Sequence, residues 1–481
     1  MAVLGNCKPE RVFHYFEEIC GIPHPSYHEE KISAYLVDFA KAHNLEYYQD
    51  DLYNVIMIKE AAKGYEDVEP IIIQGHMDMV AEQEDSCKKD MLNEGLDLEI
   101  VDGYVTAKGT TLGGDDGIAV ATALALLEDE NLKAPRLEVI ITVSEEVGME
   151  GAAGIDLSML KGKKLLNLDS EDEGIFTVGC AGGCRLDVDY EYKMAEKTGK
   201  KIEIEISECE GGHSGQEIDK GRANATHLVN RILSVACENA DIYLADYVGG
   251  TKDNAIPRAT SAVILVKDED LSKVADALVD EATAISNEYA ITDPNMEITI
   301  TDGEPATLQV VSAEDTFKIV SLINAMPNGV QSMSHDIEGL VETSLNLGIL
   351  NMDENRIHFS SALRSSVDSA KAALIRKIEL VAKAYGAKTS KHGIYPAWEF
   401  KRDSSFREDM VNIYQEMFNV TPVVETIHAG LECGLLGSKI KGLDAVSIGP
   451  QMHDIHTPKE RLSIESTERM YEYVKKVLEK K

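Results

Sequence analysis

Acidic or histidine residues follow several apolar segments of this 481-residue chain, and this recurring order restricts the fold more than any other feature. Residues 71–73, 137–143 and 164–168 have the composition of buried strands, while residues 118–127 have that of a buried helix. Because the carboxyl ends of parallel strands meet at one edge of a sheet, this order predicts an α/β fold with a functional edge there.

The residues at this predicted edge are of types that bind metals and move protons. His76 and Asp78 follow the first strand. Since residues two apart on a strand point to the same side, Asp78 can hydrogen-bond the imidazole of His76. Asp115 lies in a glycine-rich turn before the apolar helix. Taken alone, His76 and Asp78 are more typical of a surface pair, and Asp115 is typical of a helix cap. The repetition of such residues at several strand ends is what favours a functional site.

Further strand ends complete a set of candidate metal ligands. Glu145 and Glu146 follow the strand at residues 137–143, and a second histidine follows the strand at residues 445–450. The candidate ligands combine imidazole nitrogen and carboxylate oxygen without a thiolate: His76, Asp115, Glu146, Asp169 and His456. This donor set suits two Zn²⁺ ions, with Mn²⁺ or Co²⁺ as alternatives, that share one bridging carboxylate. Glu145 beside them would be free to move protons.

Composition and charge exclude several other functions. The chain has 84 acidic against 47 basic residues and a net charge of -37, whereas nucleic-acid binding requires a basic surface. It contains no run of about 18 apolar residues and no signal-peptide layout, which predicts a cytoplasmic protein without a membrane partner. Its eight cysteines lack paired spacing, so they are expected to be reduced.

Local motifs of other hydrolase classes are incomplete. His28 and Glu29 begin like a zincin motif, but the fifth position is Ile32 rather than histidine. The turn around Ser214 is not a nucleophile elbow, because residue 216 is glutamine.

Ser26 and Glu29 have the spacing of a capping box, which predicts a helix that begins at Ser26.

The length and the positions of the motifs predict two domains. The metal motifs stop before residue 184 and resume after residue 398. We therefore expect a discontinuous catalytic domain of residues 1–183 plus 399–481, and an inserted α+β lid domain of residues 184–398. The first part of the insert is expected to contain strand 202–206, helix 222–234, strands 242–248 and 260–266, helix 271–288 and strand 296–301. The second part is expected to contain helix 313–325, strands 342–350 and 356–363, helix 369–384 and strand 388–391. This order predicts an internal duplication, with two ferredoxin-like β-α-β-β-α-β halves.

Five motifs occur in one order along the chain: Gly-His-Met-Asp at 75–78, Gly-Asp-Asp-Gly at 114–117, Ser-Glu-Glu-Val-Gly at 144–148, Asn-Leu-Asp at 167–169 and His-Thr-Pro at 456–458. They resemble the metal-site motifs of the co-catalytic zinc exopeptidases, the family that includes aminoacylase, peptidase T and carnosinase. The resemblance implies a three-layer α/β/α catalytic domain. One departure is Asp454-Ile455, where the family pattern has Gly-Ala, but the Thr-Pro spacing favours His456 over His453 as the ligand.

The resemblance also implies a role for each residue of the centre. Asp115 would bridge both metals, His76 and Asp169 would complete one site, and Glu146 and His456 would complete the other. Asp78 would orient His76. Glu145 would be the general base, which takes a proton from a water that bridges the metals and returns it to the leaving amine. Without the other motifs, adjacent acids at 145 and 146 would be interpreted simply as the end of a strand.

Residues 20–30 and 428–434 narrow the resemblance to bacterial dipeptidases of this family that cleave Xaa-His dipeptides, β-alanyl-histidine among them. By the same resemblance, His213 would bind the substrate carbonyl oxygen, Asn254 and Arg364 would contact substrate, and Glu432 would hold the substrate α-ammonium. Each of the three lid residues also has a plain interpretation: His213 in a flexible turn, Asn254 in a turn before proline, and Arg364 at a solvated strand end.

The expected function is therefore a metallo-dipeptidase that uses dipeptide substrates and can form a homodimer. Within the enzyme class, the alternative is an N-acyl-amino-acid deacylase, which would use the same metals and base. From another class, the alternative is a non-catalytic, metal-stabilised binding protein, which the presence of Glu145 beside five ligands disfavours. A duplicated lid would present His213 within one chain, in cis.

Overall fold

The computed structural model describes residues 2–481 of the chain. The helices formed in this range are α1 (Glu10–Cys20), α2 (Glu30–Ala42), α3 (Gly114–Glu128), α4 (Glu150–Gly154), α5 (Ala225–Asn239), α6 (Leu271–Glu288), α7 (Ala313–Ala325), α8 (Asp368–Tyr385), α9 (Ser405–Phe418), α10 (Glu432–Lys439) and α11 (Ile464–Leu478). None of the helices in the described range is long and apolar enough to cross a membrane.

The strands of the described residues form three sheets. They are β1 (Glu46–Gln49), β2 (Val55–Lys59), β3 (Ile71–His76), β4 (Leu98–Val101), β5 (Tyr104–Ala107), β6 (Leu137–Thr142), β7 (Lys164–Asn167), β8 (Ile175–Cys180), β9 (Gly182–Glu191), β10 (Met194–Ser207), β11 (Tyr243–Gly249), β12 (Thr260–Val266), β13 (Glu297–Val311), β14 (Gly329–Met333), β15 (Val341–Met352), β16 (Arg356–Ser365), β17 (Lys388–Tyr395), β18 (Val423–Ile427), β19 (Asp444–Ser447), β20 (Met452–His453) and β21 (Arg461–Ser463).

The chain divides into two compact units. The first unit contains residues up to Cys180, Phe400–Thr426 and Leu431–Lys481, and the second contains Ala181–Glu399 and Ile427–Gly430. Residues 181–183, 399 and 427–430 therefore fall in the second unit, outside the insert boundaries expected from the motifs. The functional labels, catalytic domain and lid domain, remain predictions.

The first unit is built on an eight-stranded sheet in the order β1-β2-β6-β3-β7-β19-β8-β18. Its centre is parallel, because β3 pairs in parallel with both β6 and β7, and β19 pairs in parallel with β7. Every residue of β3 and of β6 is buried, so both faces of the sheet are covered. The four parallel strands present their carboxyl ends at one edge, and three of the five predicted motifs, at residues 75–78, 144–148 and 167–169, lie at those ends.

The second unit contains two halves with the same topology. In the first half, the spatial order β13-β10-β12-β11 with α5 and α6 is the 4-1-3-2 order of a ferredoxin-like fold. The second half has the equivalent order β17-β9-β16-β15 with α7 and α8. The two halves join in one continuous sheet where β11 pairs with β15. The expected duplication is therefore present in this sheet.

The first strand of the second half was missed by the sequence interpretation. This strand is β9, and the whole first half lies between β9 and α7 along the chain. More than a hundred residues separate β9 from α7, the next element of the second half. When the elements are taken in chain order, the second half therefore begins at α7. The remaining predicted elements of the insert overlap observed elements.

Glycines allow the two halves to meet closely. A Cβ atom at Gly250 would lie 1.9 Å from the carbonyl oxygen of Gly348, and Gly250 has φ +67. We predict that Gly250→Ala destabilises the protein by more than Gly221→Ala, which has the same φ of +67 but no atom within 4 Å of the added methyl. The left-handed conformation alone costs about 1–2 kcal/mol in either variant. Equal losses in chemical unfolding would show that the junction tolerates the methyl group.

Candidate metal centre

The candidate ligands converge at the carboxyl edge of the first unit's sheet. His76 ends β3, Glu146 follows β6, and Asp169 follows β7. Asp115 lies in the first turn of α3, where its backbone is not helical. His456 lies between β20 and β21. Five residues that are distant in sequence thus meet at one place, as the strand-end pattern predicts for this edge.

Asp115 lies between two histidines. Its Oδ1 is 3.1 Å from His76 Nε2, and its Oδ2 is 3.2 Å from His456 Nε2. His76 Nε2 is also 3.5 Å from Asp169 Oδ1, and His456 Nε2 is 2.9 Å from Glu146 Oε1. The donors therefore form two groups, each with one imidazole and one terminal carboxylate, and the groups share Asp115.

The charges of this cluster influence each other strongly. Burial alone would lower the pKa of His76, but Asp169, Asp115 and Asp78 raise it well above its usual range. Hydrogen bonds to Asp115 and Glu146 raise the pKa of His456 to about 10. Although burial opposes it, the hydrogen bonds from His456 and His76 hold the pKa of Asp115 below its usual value. Cations would take the place of these protons, so the donor set fits two divalent metal ions.

Asp116 is a buried acid at the centre that the motif analysis gave no role. Ligand atoms of His76, Asp116 and Asp169 lie within 4.8 Å of one another, as do those of His76, Asp115 and Glu146. Asp116 Oδ2, however, accepts a hydrogen bond from the His76 backbone N–H at 3.2 Å. Through Oδ2, Asp116 thus holds the end of β3, while its Oδ1 is buried without a hydrogen-bond partner among the described residues. Both oxygens of Asp115 face imidazole nitrogens. The adjacent pair Asp115-Asp116 is the sequence feature from which Asp116 could have been identified as part of the site.

Asp78 contacts the backbone of residues 145 and 146 as well as His76. His76 Nδ1 is 3.0 Å from the Asp78 carbonyl oxygen and 3.4 Å from its Oδ1. The Asp78 carboxylate also accepts hydrogen bonds from the backbone N–H groups of Glu145 at 3.0 Å and Glu146 at 3.3 Å. One carboxylate that is 1% exposed thus fixes a candidate ligand and the turn that carries the candidate base.

The predicted capping box is wrong. The helix α2 begins at Glu30, and Glu29 is its N-cap residue, but no side-chain hydrogen bond caps the helix. Ser26 Oγ instead donates to Asp78 Oδ2 at 2.8 Å, and Glu29 Oε1 accepts from both the N–H and the Oγ of Ser144 at 3.0 Å. The side chains of Ser26 and Glu29 therefore hydrogen-bond residues next to the candidate ligands rather than the end of α2.

Glu145 is half-buried beside the ligands. Burial raises its pKa well above its usual range, and the carboxylates of Asp169, Glu432 and Glu146 add to this effect. Nearby divalent cations would favour the carboxylate form, which is the form that a general base requires.

Glu432 lies in a fully buried polar network of the same unit. Its Oε2 accepts hydrogen bonds from Gln74 Nε2 at 2.5 Å and from Thr142 Oγ1 at 2.6 Å, and Asn167 Nδ2 donates to Gln74 Oε1 at 2.6 Å. Its Oε1 is buried without a partner among the described residues. Burial raises the pKa of Glu432 to about 8. A cationic group that reached Oε1 would satisfy this oxygen.

His213 belongs to the second unit, in the loop between β10 and α5. The backbone N–H groups of Gly215 and Gln216 donate to its Nδ1 at 3.3 and 3.1 Å. The proton of the neutral ring therefore lies on Nε2, which is free to donate. Burial and the charge of Arg364 lower the pKa of His213, and this favours the neutral ring.

The second unit brings the three predicted substrate contacts near one another. His213 and Asn254 both line a cavity of about 430 Å³. A Cβ atom at Gly215 would lie 3.0 Å from Arg364 Nε and 3.1 Å from His213 Cε1. Arg364 Nε is buried without a hydrogen-bond partner among the described residues. Because His213 belongs to the first half and Arg364 to the second, the duplicated unit joins these groups within one chain.

The first unit thus combines a mixed α/β sheet with a cluster of acidic and imidazole groups at its edge, and the chain inserts a second unit into it. The chain belongs to Peptidase family M20/M25/M40, whose sequence profile matches residues 72–480. The resemblance inferred from the five motifs is thereby confirmed.

Three similar proteins match almost the whole chain. The cytosol non-specific dipeptidase of Escherichia coli K12 is 37% identical over 472 residues, which cover 97% of this chain and 96% of the relative. The crystal structure of aminoacylhistidine dipeptidase from Vibrio alginolyticus has a TM-score of 0.93 at 32% identity and covers 99% of this chain and 97% of that one. Aminopeptidase PepT from Bacillus cereus has a TM-score of 0.63 at 18% identity over 98% of each chain, so it shares the fold.

Proposed function

We propose that this chain is a cytosolic dipeptidase whose centre binds two divalent metal ions, zinc first and manganese or cobalt as alternatives. The observation that carries the proposal is Asp115, whose two carboxylate oxygens face the Nε2 atoms of two different histidines. His76 and Asp169 would hold one ion with Asp115, and Glu146 and His456 would hold the other. Bound ions would polarise the peptide carbonyl and acidify the attacking water.

The residues of the chain supply proton transfer and orientation. Glu145 would take a proton from the attacking water and return it to the leaving amine nitrogen, as one group acting first as base and then as acid. Asp78 keeps Glu145 in place through the backbone N–H of that residue, at 3.0 Å. His213 would donate its Nε2 proton in a hydrogen bond to the developing oxyanion.

Dipeptides are the proposed substrates, with Xaa-His dipeptides such as β-alanyl-histidine among them. The two similar proteins with 32% identity or more, from E. coli and Vibrio alginolyticus, are dipeptidases. Glu432 would pair with the substrate α-ammonium through its unpartnered Oε1, while Asn254 and Arg364 would contact the rest of the substrate. The proposed cytosolic location is supported by the similarity to the cytosol non-specific dipeptidase of E. coli. It is also supported by the eight cysteines, none of which forms a disulfide bond.

Blocking the substrate amine separates this proposal from the deacylase alternative. We predict that kcat/KM for N-acetyl-Ala-His is at least about 10²-fold below that for Ala-His, because the acetylated substrate would leave the buried Glu432 carboxylate unpaired. The assay measures free histidine. Glu432→Gln should lower turnover of Ala-His and leave the poor turnover of the acetylated peptide unchanged. Equal or faster cleavage of N-acetyl-Ala-His would favour a deacylase.

A further inference from the structure

Glu460 is a buried carboxylate in the first unit to which no role has been given. It is 2% exposed. Its Oε2 accepts hydrogen bonds from the N–H groups of Leu112 at 2.7 Å and Gly113 at 3.1 Å. Its Oε1 accepts from the N–H groups of Gly114 at 2.7 Å and Asp115 at 3.4 Å. Four consecutive backbone donors are therefore directed to one side chain.

The hydrogen-bond donors to the Glu460 carboxylate are all backbone groups. A buried carboxylate requires a paired cation or several hydrogen bonds, and these four bonds meet that requirement. The donors are N–H groups before and at the start of α3, which have no partner inside the helix. The bonds thus fix the position of the turn at residues 112–115.

The same short segment carries Glu460 and His456. The two residues are four positions apart between β20 and β21, and the N–H of Glu460 donates to the Thr457 carbonyl oxygen at 3.0 Å, which closes the turn between them. Thr106 Oγ1 on β5 donates to the Glu460 carbonyl oxygen at 2.9 Å and anchors the segment. The position of His456 and that of the Asp115 turn are therefore coupled through one side chain.

We propose that Glu460 is a positioning residue of the metal centre, which holds the 112–115 turn so that Asp115 presents one oxygen to each histidine. The inference rests on the proposed two-metal site. In this role Glu460 does not contact substrate. Residues that fix ligands in this way typically contribute about 10- to 100-fold to metal affinity.

Glu138 provides a matched control in the same unit. It is 0% exposed, and its carboxylate accepts hydrogen bonds from the N–H groups of Lys161 and Gly162 at 2.9–3.0 Å. It lies near the start of β6, whereas the candidate ligand Glu146 follows the end of that strand. Its Oε1 also accepts a hydrogen bond from Arg136 Nε at 2.8 Å, a partner that Glu460 lacks. Glu138→Gln therefore perturbs a buried carboxylate that fixes a backbone turn but holds no candidate ligand.

The test measures metal binding directly. Zn²⁺ and Co²⁺ are titrated into chelated parent, Glu460→Gln and Glu138→Gln proteins in competition with a chromophoric chelator, and the visible absorption of the Co²⁺ forms is recorded. We expect Glu460→Gln to bind metal about 10- to 100-fold more weakly than the parent and to show an altered Co²⁺ spectrum. Glu138→Gln should retain parental metal affinity, even where its thermal unfolding temperature falls. Glutamine keeps one acceptor oxygen, so Glu460→Ala should bind metal more weakly than Glu460→Gln where the variant folds.

The outcomes separate the two proposals. A parent protein that binds no metal would contradict the proposed metal centre itself. A parent that binds two ions together with a Glu460→Gln variant of unchanged affinity and spectrum would overturn the role of Glu460 alone. Equal losses of affinity in Glu460→Gln and Glu138→Gln would also overturn it, since they would reflect general destabilisation. The KM for Ala-His at saturating metal should stay within about 2-fold of the parent value, because Glu460 does not touch substrate.

Discussion

Replacing Glu145 with glutamine should lower kcat for Ala-His hydrolysis by about 10²- to 10⁴-fold, while two metal ions remain bound. Glutamine is close to glutamate in shape but cannot take up the proton of the attacking water. The backbone N–H of residue 145 keeps its bond to Asp78, so the turn should stay in place. Steady-state kinetics together with metal analysis of the same preparation gives both quantities.

Asp115→Ala is the comparison variant for Glu145→Gln. It removes a carboxylate that lies 3.1 Å from one histidine and 3.2 Å from the other, so it should lose metal as well as activity. Equal loss of metal in the two variants would mean that Glu145 is a ligand. Retention of most of the activity by Glu145→Gln would mean that another group is the base.

Replacing His213 with alanine should lower kcat by about 10²- to 10³-fold, the usual effect of removing one oxyanion donor. The Nδ1 atom of His213 accepts from two backbone N–H groups, so its Nε2–H is available as a donor. Metal content should not change, because His213 lies in the second unit and is no candidate ligand. His213→Gln retains an N–H donor and should lose less activity than His213→Ala.

The duplicated second unit predicts that His213 acts in cis. Its loop belongs to the first half, and Arg364 near it belongs to the second half of the same chain. Mixing His213→Ala chains with Glu145→Gln chains, under conditions where subunit exchange is verified, should therefore restore no activity. Substantial recovery in the mixed species would show that His213 serves the centre of a partner chain.

Much of the site edge could be predicted because its signal is local. An apolar strand followed by an acid or histidine is visible in a few residues, and parallel pairing then brings such ends together. This is how His76, Glu146 and Asp169 could be grouped before the structure was known. Helices α6 and α7 have the predicted bounds for a similar reason, since their apolar periodicity is uninterrupted.

The parts that could not be predicted depend on distant partners. Ser26 and Glu29 have the spacing of a local cap, but bonds to Asp78 and Ser144 replace that cap once the fold is formed. Glu460 has no local pattern, because its role depends on a turn almost 350 residues earlier in the chain. Strand β9 was missed because its partners in the second half follow the complete first half.

Metal titration of the chelated protein tests the central claim most directly. The protein is stripped with a chelator, dialysed, shown to be free of metal and assayed on Ala-His as Zn²⁺, Mn²⁺ or Co²⁺ is added. We predict no hydrolysis in the stripped protein, and a rise in activity that reaches its plateau at two ions per chain. Full activity in the metal-free preparation, or a plateau at one ion per chain, would contradict a two-metal centre bridged by Asp115.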